Sequence, residues 1–165
     1  MTYHPVVKKI TDLLTEHHAS FRTFEHAPVR TSEEAAALRP EFTMHQGAKA
    51  LIVRAKKGGE PFFVMLVFPA DLKFDSKKVK ALLGVQSLSF ATEEEVGRLT
   101  DGVQVGGVPP FGNLFGLPVY ADELLFGNEE IVFNAGDRSF SVAMKAEDYR
   151  TIVQPIISHL VVDPQ

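Results

Sequence analysis

Ala48–Phe68, AKALIVRAKKGGEPFFVMLVF, is the stretch on which the fold turns. Two apolar runs rich in β-branched and aromatic residues flank a short polar segment, Lys56–Glu60, that carries two glycines. Runs of this length and composition read as strands, and the glycine-bearing break between them reads as a hairpin. Neither run alternates cleanly with polar residues, so both strands are expected to be buried in the middle of a sheet. The smaller elements arrange themselves around that hairpin.

On the N-terminal side, residues 4–18 place Val6, Val7, Ile10, Leu13 and Leu14 on one helical stripe, with Pro5 at the helix start. SFRTFEH, residues 20–26, alternates as a strand does, and residues 31–39 open a short helix with Thr31 and Glu34 at capping-box spacing before Pro40. On the C-terminal side, residues 75–84 form a helix with Asp75 as N-cap and Gly84 just past its end, residues 87–91 a strand, and residues 92–100 a helix whose capping box is Thr92 and Glu95. Residues 117–122, 129–136 and 138–144 read as three further strands, and 146–157 as a closing helix interrupted near Pro155. The expected architecture is α+β, one domain over residues 1–165, with a mixed, mainly antiparallel, curved sheet flanked by helices.

Composition narrows the chemistry. The 165 residues include no cysteine, which removes disulfides, thiolate metal sites and cysteine nucleophiles together. A formal charge of −4 argues against a general nucleic-acid coat protein but leaves room for a local basic patch. No run is long and apolar enough to span a bilayer, and no secretory signal opens the chain, so a cytoplasmic protein without membrane contact is expected. The histidines are scattered without metal-ligand spacing, and neither a nucleophile elbow, a P-loop nor a dinucleotide fingerprint is present. No metal and no cofactor is expected.

VGGVPPFGNLFG, Val105–Gly116, stands out against this background. Pro109 and Pro110 exclude a helix interior or central strand, while Val108, Phe111, Leu114 and Phe115 make the segment too apolar for a flexible linker. An ordered Gly-Pro loop presents main-chain groups at close range, and so forms either a binding surface or a structural crossover. Lys49 is the other open question. It begins the first hairpin strand in alternation with Leu51 and Val53, and is either a strand-end lysine reaching water or an ammonium turned toward the core face. Seven further basic residues, Arg54, Lys56, Lys57, Lys73, Lys77, Lys78 and Lys80, read as solvated charges unless the fold gathers them.

The order of seven blocks resembles a known family. FEHAPVRTSEEAA (24–36), GAKALIV (47–53), FPADLKFDSKKVKALLG (68–84), LSFATEEEVGRLT (88–100), GGVPPFG (106–112), VYADELL (119–125) and FNAGDRSFSVAMKAEDY (133–149) are similar, in this order, to the YbaK-type aminoacyl-tRNA deacylases. These are free-standing relatives of the editing domain inserted in bacterial prolyl-tRNA synthetases. The resemblance implies a trans-editing hydrolase that binds the acceptor end of an aminoacyl-tRNA and cleaves the ester to a small wrong amino acid, alanine on tRNA(Pro) for example. It implies help from a substrate ribose hydroxyl, with neither metal nor protein nucleophile.

Carried onto this sequence, the resemblance gives Lys49 the nucleotide end of the substrate, and gives Gly106, Gly107, Val108, Pro109 and Pro110, followed by Phe111, the cradle of the aminoacyl ester. Asn134, Ala135 and Gly136 become the facing turn, while His26 and Thr31 line the pocket. Many family members follow that turn with serine and histidine; here the residues are Asp137, included with the substrate-binding set, and Arg138. The chemistry is reasonable for such a site. An aminoacyl ester is already activated, so orientation and an oxyanion stabiliser matter more than a strong nucleophile. The alternative readings are a non-catalytic tRNA- or nucleotide-binding module of the same fold, and a metal-dependent small-molecule hydrolase.

Overall fold

The computed structural model describes residues 2–164. The central hairpin is β2 (Ala48–Lys56) against β3 (Phe62–Pro69), antiparallel and in register from Ala48↔Pro69 to Ala55↔Phe62. The short strand β4 (Ser87–Phe90) pairs with the outer edge of β2, while β5 (Val119–Asp122) runs parallel to β3 and β8 (Ile156–Ser158) parallel to β5. This five-stranded sheet has the order β4-β2-β3-β5-β8.

The hairpin sequence is apolar on both faces because both faces are covered. Ile52, Met65 and Val67 belong to the main core, and Val53, Val64, Leu66 and Phe68 to a second cluster completed by Val79, Leu160 and Val161. Helix α3 (Ser76–Leu83) supplies Val79 to that second face. Alternation sends neighbouring residues to opposite sides, and here each side has its own core to fill.

The strands do not form one sheet, as the sequence suggested. β1 (Phe21–Glu25), β6 (Glu130–Asp137) and β7 (Phe140–Lys145) make a separate antiparallel sheet of order β1-β7-β6. A single parallel bridge, Gly47↔Val132, links it to the larger one. The sheets share the main core, into which α1 (Val6–Glu16) inserts Val6, Ile10 and Leu14, and α5 (Ala146–Val153) contributes Tyr149 and Val153. The remaining helices are α2 (Ser32–Leu38) and α4 (Glu93–Leu99).

The caps follow the sequence with two exceptions. Asp75 accepts from Lys77 N and Lys78 N, Gly84 ends α3 in the left-handed region at φ 66°, and Thr92 and Glu95 complete their capping box. At α2, Thr31 accepts from Glu34 N, but the Glu34 carboxylate reaches Arg30 N instead of closing a box on Thr31. The closing helix ends at Val153 rather than continuing past Pro155: Gln154 takes φ 52°, the proline removes the next donor, and the chain leaves as strand β8.

The β6–β7 ladder shifts register between Asn134 and Asp137. This bulge sets Gly136 at φ 105°, against α1, where an added methyl would overlap Val6 Cγ1. Gly136→Ala therefore combines overpacking with backbone strain, and a loss of at least about 1–3 kcal/mol is expected from the urea midpoint. A midpoint equal to the parent's would show that the helix is free to move away.

Candidate functional site

A cleft of about 820 Å³ opens where the two sheets meet. Its walls are the start of β2, the chain following β3, the segment around α2, the loop before Pro109 and the middle of β6. Lys49, Thr31, Gly106, Val108 and Asn134 line it together, although as much as 103 residues of chain separate them. Lys49 is exposed, standing in the cleft at the end of the strand rather than in the core.

The loop is held by the bulge through three consecutive carbonyls. Asn134 Nδ2 donates to Gly106 O at 2.7 Å, Gly136 N to Gly107 O at 2.8 Å, and Arg138 Nε to Val105 O at 3.0 Å. Residues 134, 136 and 138 thus grip 105, 106 and 107, from the stretch where the β6–β7 register shifts and the turn after it. The far end is fixed from the core. Tyr149 Oη donates to Pro110 O at 2.6 Å, while Phe111, fully buried, packs edge-on against Tyr149 and at a tilt against Phe133. Burial pushes the Tyr149 phenol far above its ordinary value, so it stays protonated and donating.

With those carbonyls occupied, the amides determine what the loop offers. Gly107 N donates to Gln104 O at 2.9 Å, and Gly107 is buried. Pro109 and Pro110 have no N–H and are also buried. Gly106, exposed at φ 94°, and Val108, half-buried, carry amides with no acceptor among the described residues, and both residues line the cleft.

Other predicted residues lie behind this surface. Ala135 and Gly136 are buried in the bulge, and Phe111 is a core residue. Asp137 accepts from Ser139 N and His4 N, so its carboxylate closes a turn and ties down the N-terminal segment. His26 is outside the cleft lining, with Nδ1 2.9 Å from Ala27 O and Nε2 2.7 Å from Ser141 Oγ. Ser141 is the hub behind the wall. It also accepts from Arg39 Nη1 at 3.1 Å and donates to Asn134 Oδ1 at 3.2 Å, so His26 and Arg39 reach the loop through Asn134.

Sequence reasoning alone does not find Arg39. Only 9% exposed, it lines the cleft and donates to neutral oxygens, Ala35 O and Ser141 Oγ, with no carboxylate partner among the described residues. Burial pushes its guanidinium down to about 10, still well above neutrality, so the charge persists. Of the basic residues noted from the sequence, the cleft gathers Lys49 and Lys73; Lys78 is occupied by Asp163 and Arg54 approaches Glu95. With Arg30 and Arg39 they outnumber the acidic Glu33 and Asp71 of the lining, giving a cationic cleft in a chain of net charge −4. Among the described residues no three of His, Cys, Asp or Glu lie close enough together to hold a metal ion, and no helix is long and apolar enough to cross a membrane.

The scaffold is α+β, with a clamped Gly-Pro loop beside a cationic cleft. The aminoacyl-tRNA editing domain model matches residues 26–152, and the chain belongs to that family. It is 36% identical over 149 residues to the multifunctional Ser/Thr-tRNA deacylase ProXp-y of Escherichia coli strain K12, covering 90% of this chain and 88% of the relative. The prolyl-tRNA editing protein ProX of Acetoanaerobium sticklandii is 30% identical over 145 residues, with 86% of each chain covered. A solved structure described as that of a candidate trans-editing enzyme for prolyl tRNA synthetase superposes with a TM-score of 0.81 at 25% identity, over 98% of this chain and all of the other.

Removing the Tyr149 hydroxyl would leave the buried Pro110 carbonyl without its donor. Tyr149→Phe is expected to lose about 1–3 kcal/mol in urea denaturation. Unchanged stability would mean that the loop is held by its carbonyl clamp and Phe111 alone.

Proposed function

We propose that the protein is a trans-editing deacylase that hydrolyses the ester between a small, wrongly attached amino acid and the terminal ribose of a tRNA. The observation that carries this reading is the pair of unclaimed amides, Gly106 N–H and Val108 N–H, on a rigid loop beside Lys49. A scissile carbonyl set against that loop would develop its negative charge where fixed donors wait, and one such donor is worth on the order of 10²–10³ in rate.

The step is a hydrolysis. Water adds through oxygen to the acyl carbon, the bond to the ribose oxygen breaks, one water proton reaches that oxygen, and the amino acid and tRNA leave. The neighbouring ribose hydroxyl is the group we assign to orient the water, since we assign no side chain of this protein as a general base. Lys49 as ammonium holds the phosphate or ribose of the terminal nucleotide, and Arg30, Arg39 and Lys73 extend the attraction along the cleft. Thr31 and Asn134 complete the wall near the loop. A second hydrolytic site has a purpose here, because a synthetase pocket excludes an amino acid lacking one methylene by only about 10- to 200-fold.

Alanine on tRNA(Pro) is the first substrate to test, beside the serine and threonine for which the Escherichia coli relative is named. Such a substrate places the protein in the cytoplasm. The expected result with a panel of mischarged tRNAs is turnover that survives exhaustive chelation and is lost in Lys49→Ala, with an unchanged melting temperature. Binding without turnover by the parent would favour the non-catalytic module. Loss on chelation would favour a metal-dependent hydrolase, and collapse of the variant's stability would make Lys49 structural.

A further inference from the structure

Phe90 is unusual among the large hydrophobic residues. It is 59% exposed on β4, the edge strand of the larger sheet, so the core does not account for it. Other large apolar side chains are exposed elsewhere, but Phe90 is the one exposed aromatic that lines the cleft among the described residues. Its ring leans on Phe74, with centroids 5.4 Å apart and planes at 56°. Phe74 is fixed from below: its backbone bridges to Val161 and its side chain packs on the second core cluster. The pair is therefore an anchored platform with one open ring. Lys73 and Lys49, both exposed, share the same cleft, and Leu72 and Leu51 extend its apolar floor.

Aromatic faces beside lysines in a groove are how proteins hold unpaired nucleotides, the rings stacking bases and the ammonium groups tracking the backbone. The cleft is continuous from this platform to the Gly-Pro loop. We propose that Phe90, supported by Phe74, stacks an unpaired base of the tRNA acceptor end while the ester lies at Gly106 and Val108. The inference rests on the deacylase reading and adds a base-binding subsite to it.

The chain contains no tryptophan, so Phe90→Trp introduces a single tryptophan, at the platform, that can be excited apart from the three tyrosines. A single-stranded RNA hexamer ending in CCA is expected to quench it, whereas inorganic tripolyphosphate, which has charge without bases, is not. On mischarged tRNA, Phe90→Ala is expected to raise KM by about tenfold or more at unchanged kcat, and Phe90→Tyr to keep the parent's KM, because alanine removes the stacking face and tyrosine retains it. Equal KM in Phe90→Ala and parent, or equal quenching by tripolyphosphate and the hexamer, would overturn the platform. The two proposals fail separately. Quenching by the hexamer without turnover by the parent supports the platform and sinks the deacylase, while turnover with neither quenching nor a KM change does the reverse.

Discussion

Three hydrogen bonds, two from the bulged end of β6 and one from the turn that follows it, to consecutive carbonyls of one loop organise this molecule's candidate chemistry. Asn134, Gly136 and Arg138 occupy the acceptors of Gly106, Gly107 and Val105. The ladder shifts register between Asn134 and Asp137, in the same stretch that supplies these donors. The clamp explains the glycines in different ways. Gly106 meets a left-handed backbone, whereas Gly136 must also admit Val6 of α1. The prolines remove donors from the buried side, and the amides of Val105, Gly106 and Val108, all residues of the cleft lining, have no acceptor among the described residues.

The same clamp gives the Asp137-Arg138 departure from the family pattern a structural meaning. Asp137 closes a turn and holds His4, and Arg138 contributes one of the three grips on the loop. Neither role needs histidine. Behind the wall, Ser141 joins His26, Arg39 and Asn134 in one network, so a charge buried beside the cleft is mechanically connected to the loop carbonyls. Buried polar groups linked in this way favour one arrangement of the loop over looser ones, because each has its partner in that arrangement.

Elements with local signatures were legible in the sequence. The hairpin was written in its apolar runs, α3 in Asp75 and Gly84, α4 in Thr92 and Glu95, and the order of the blocks carried the family. What escaped is long-range. Two sheets instead of one depend on which strand edges meet, and a single bridge, Gly47↔Val132, has no sequence pattern. The bulge left no mark except Gly136. Nothing local marks Arg39 or Tyr149, because the Arg39 partner Ser141 lies 102 residues away and the Tyr149 acceptor Pro110 lies 39 residues away. Strand β8 was hidden because Pro155 ends a helix without specifying the conformation of the residues beyond it. For the site, Lys49, Thr31, Gly106, Val108 and Asn134 share the cleft, while Ala135, Gly136, Phe111 and Asp137 serve the scaffold that shapes it.

In the proposed mechanism the rate comes from preorganisation of the loop by the bulge rather than from any single reactive side chain. Single-turnover hydrolysis of mischarged tRNA by Asn134→Ala is the sharpest test, because the substitution releases the Gly106 carbonyl without touching Lys49 or the loop sequence. A fall of about 10²-fold in the hydrolysis rate at saturating enzyme, with a folded, tRNA-binding protein, is expected. A rate equal to the parent's would show that the amides need no clamp, and the mechanism would be wrong at its base.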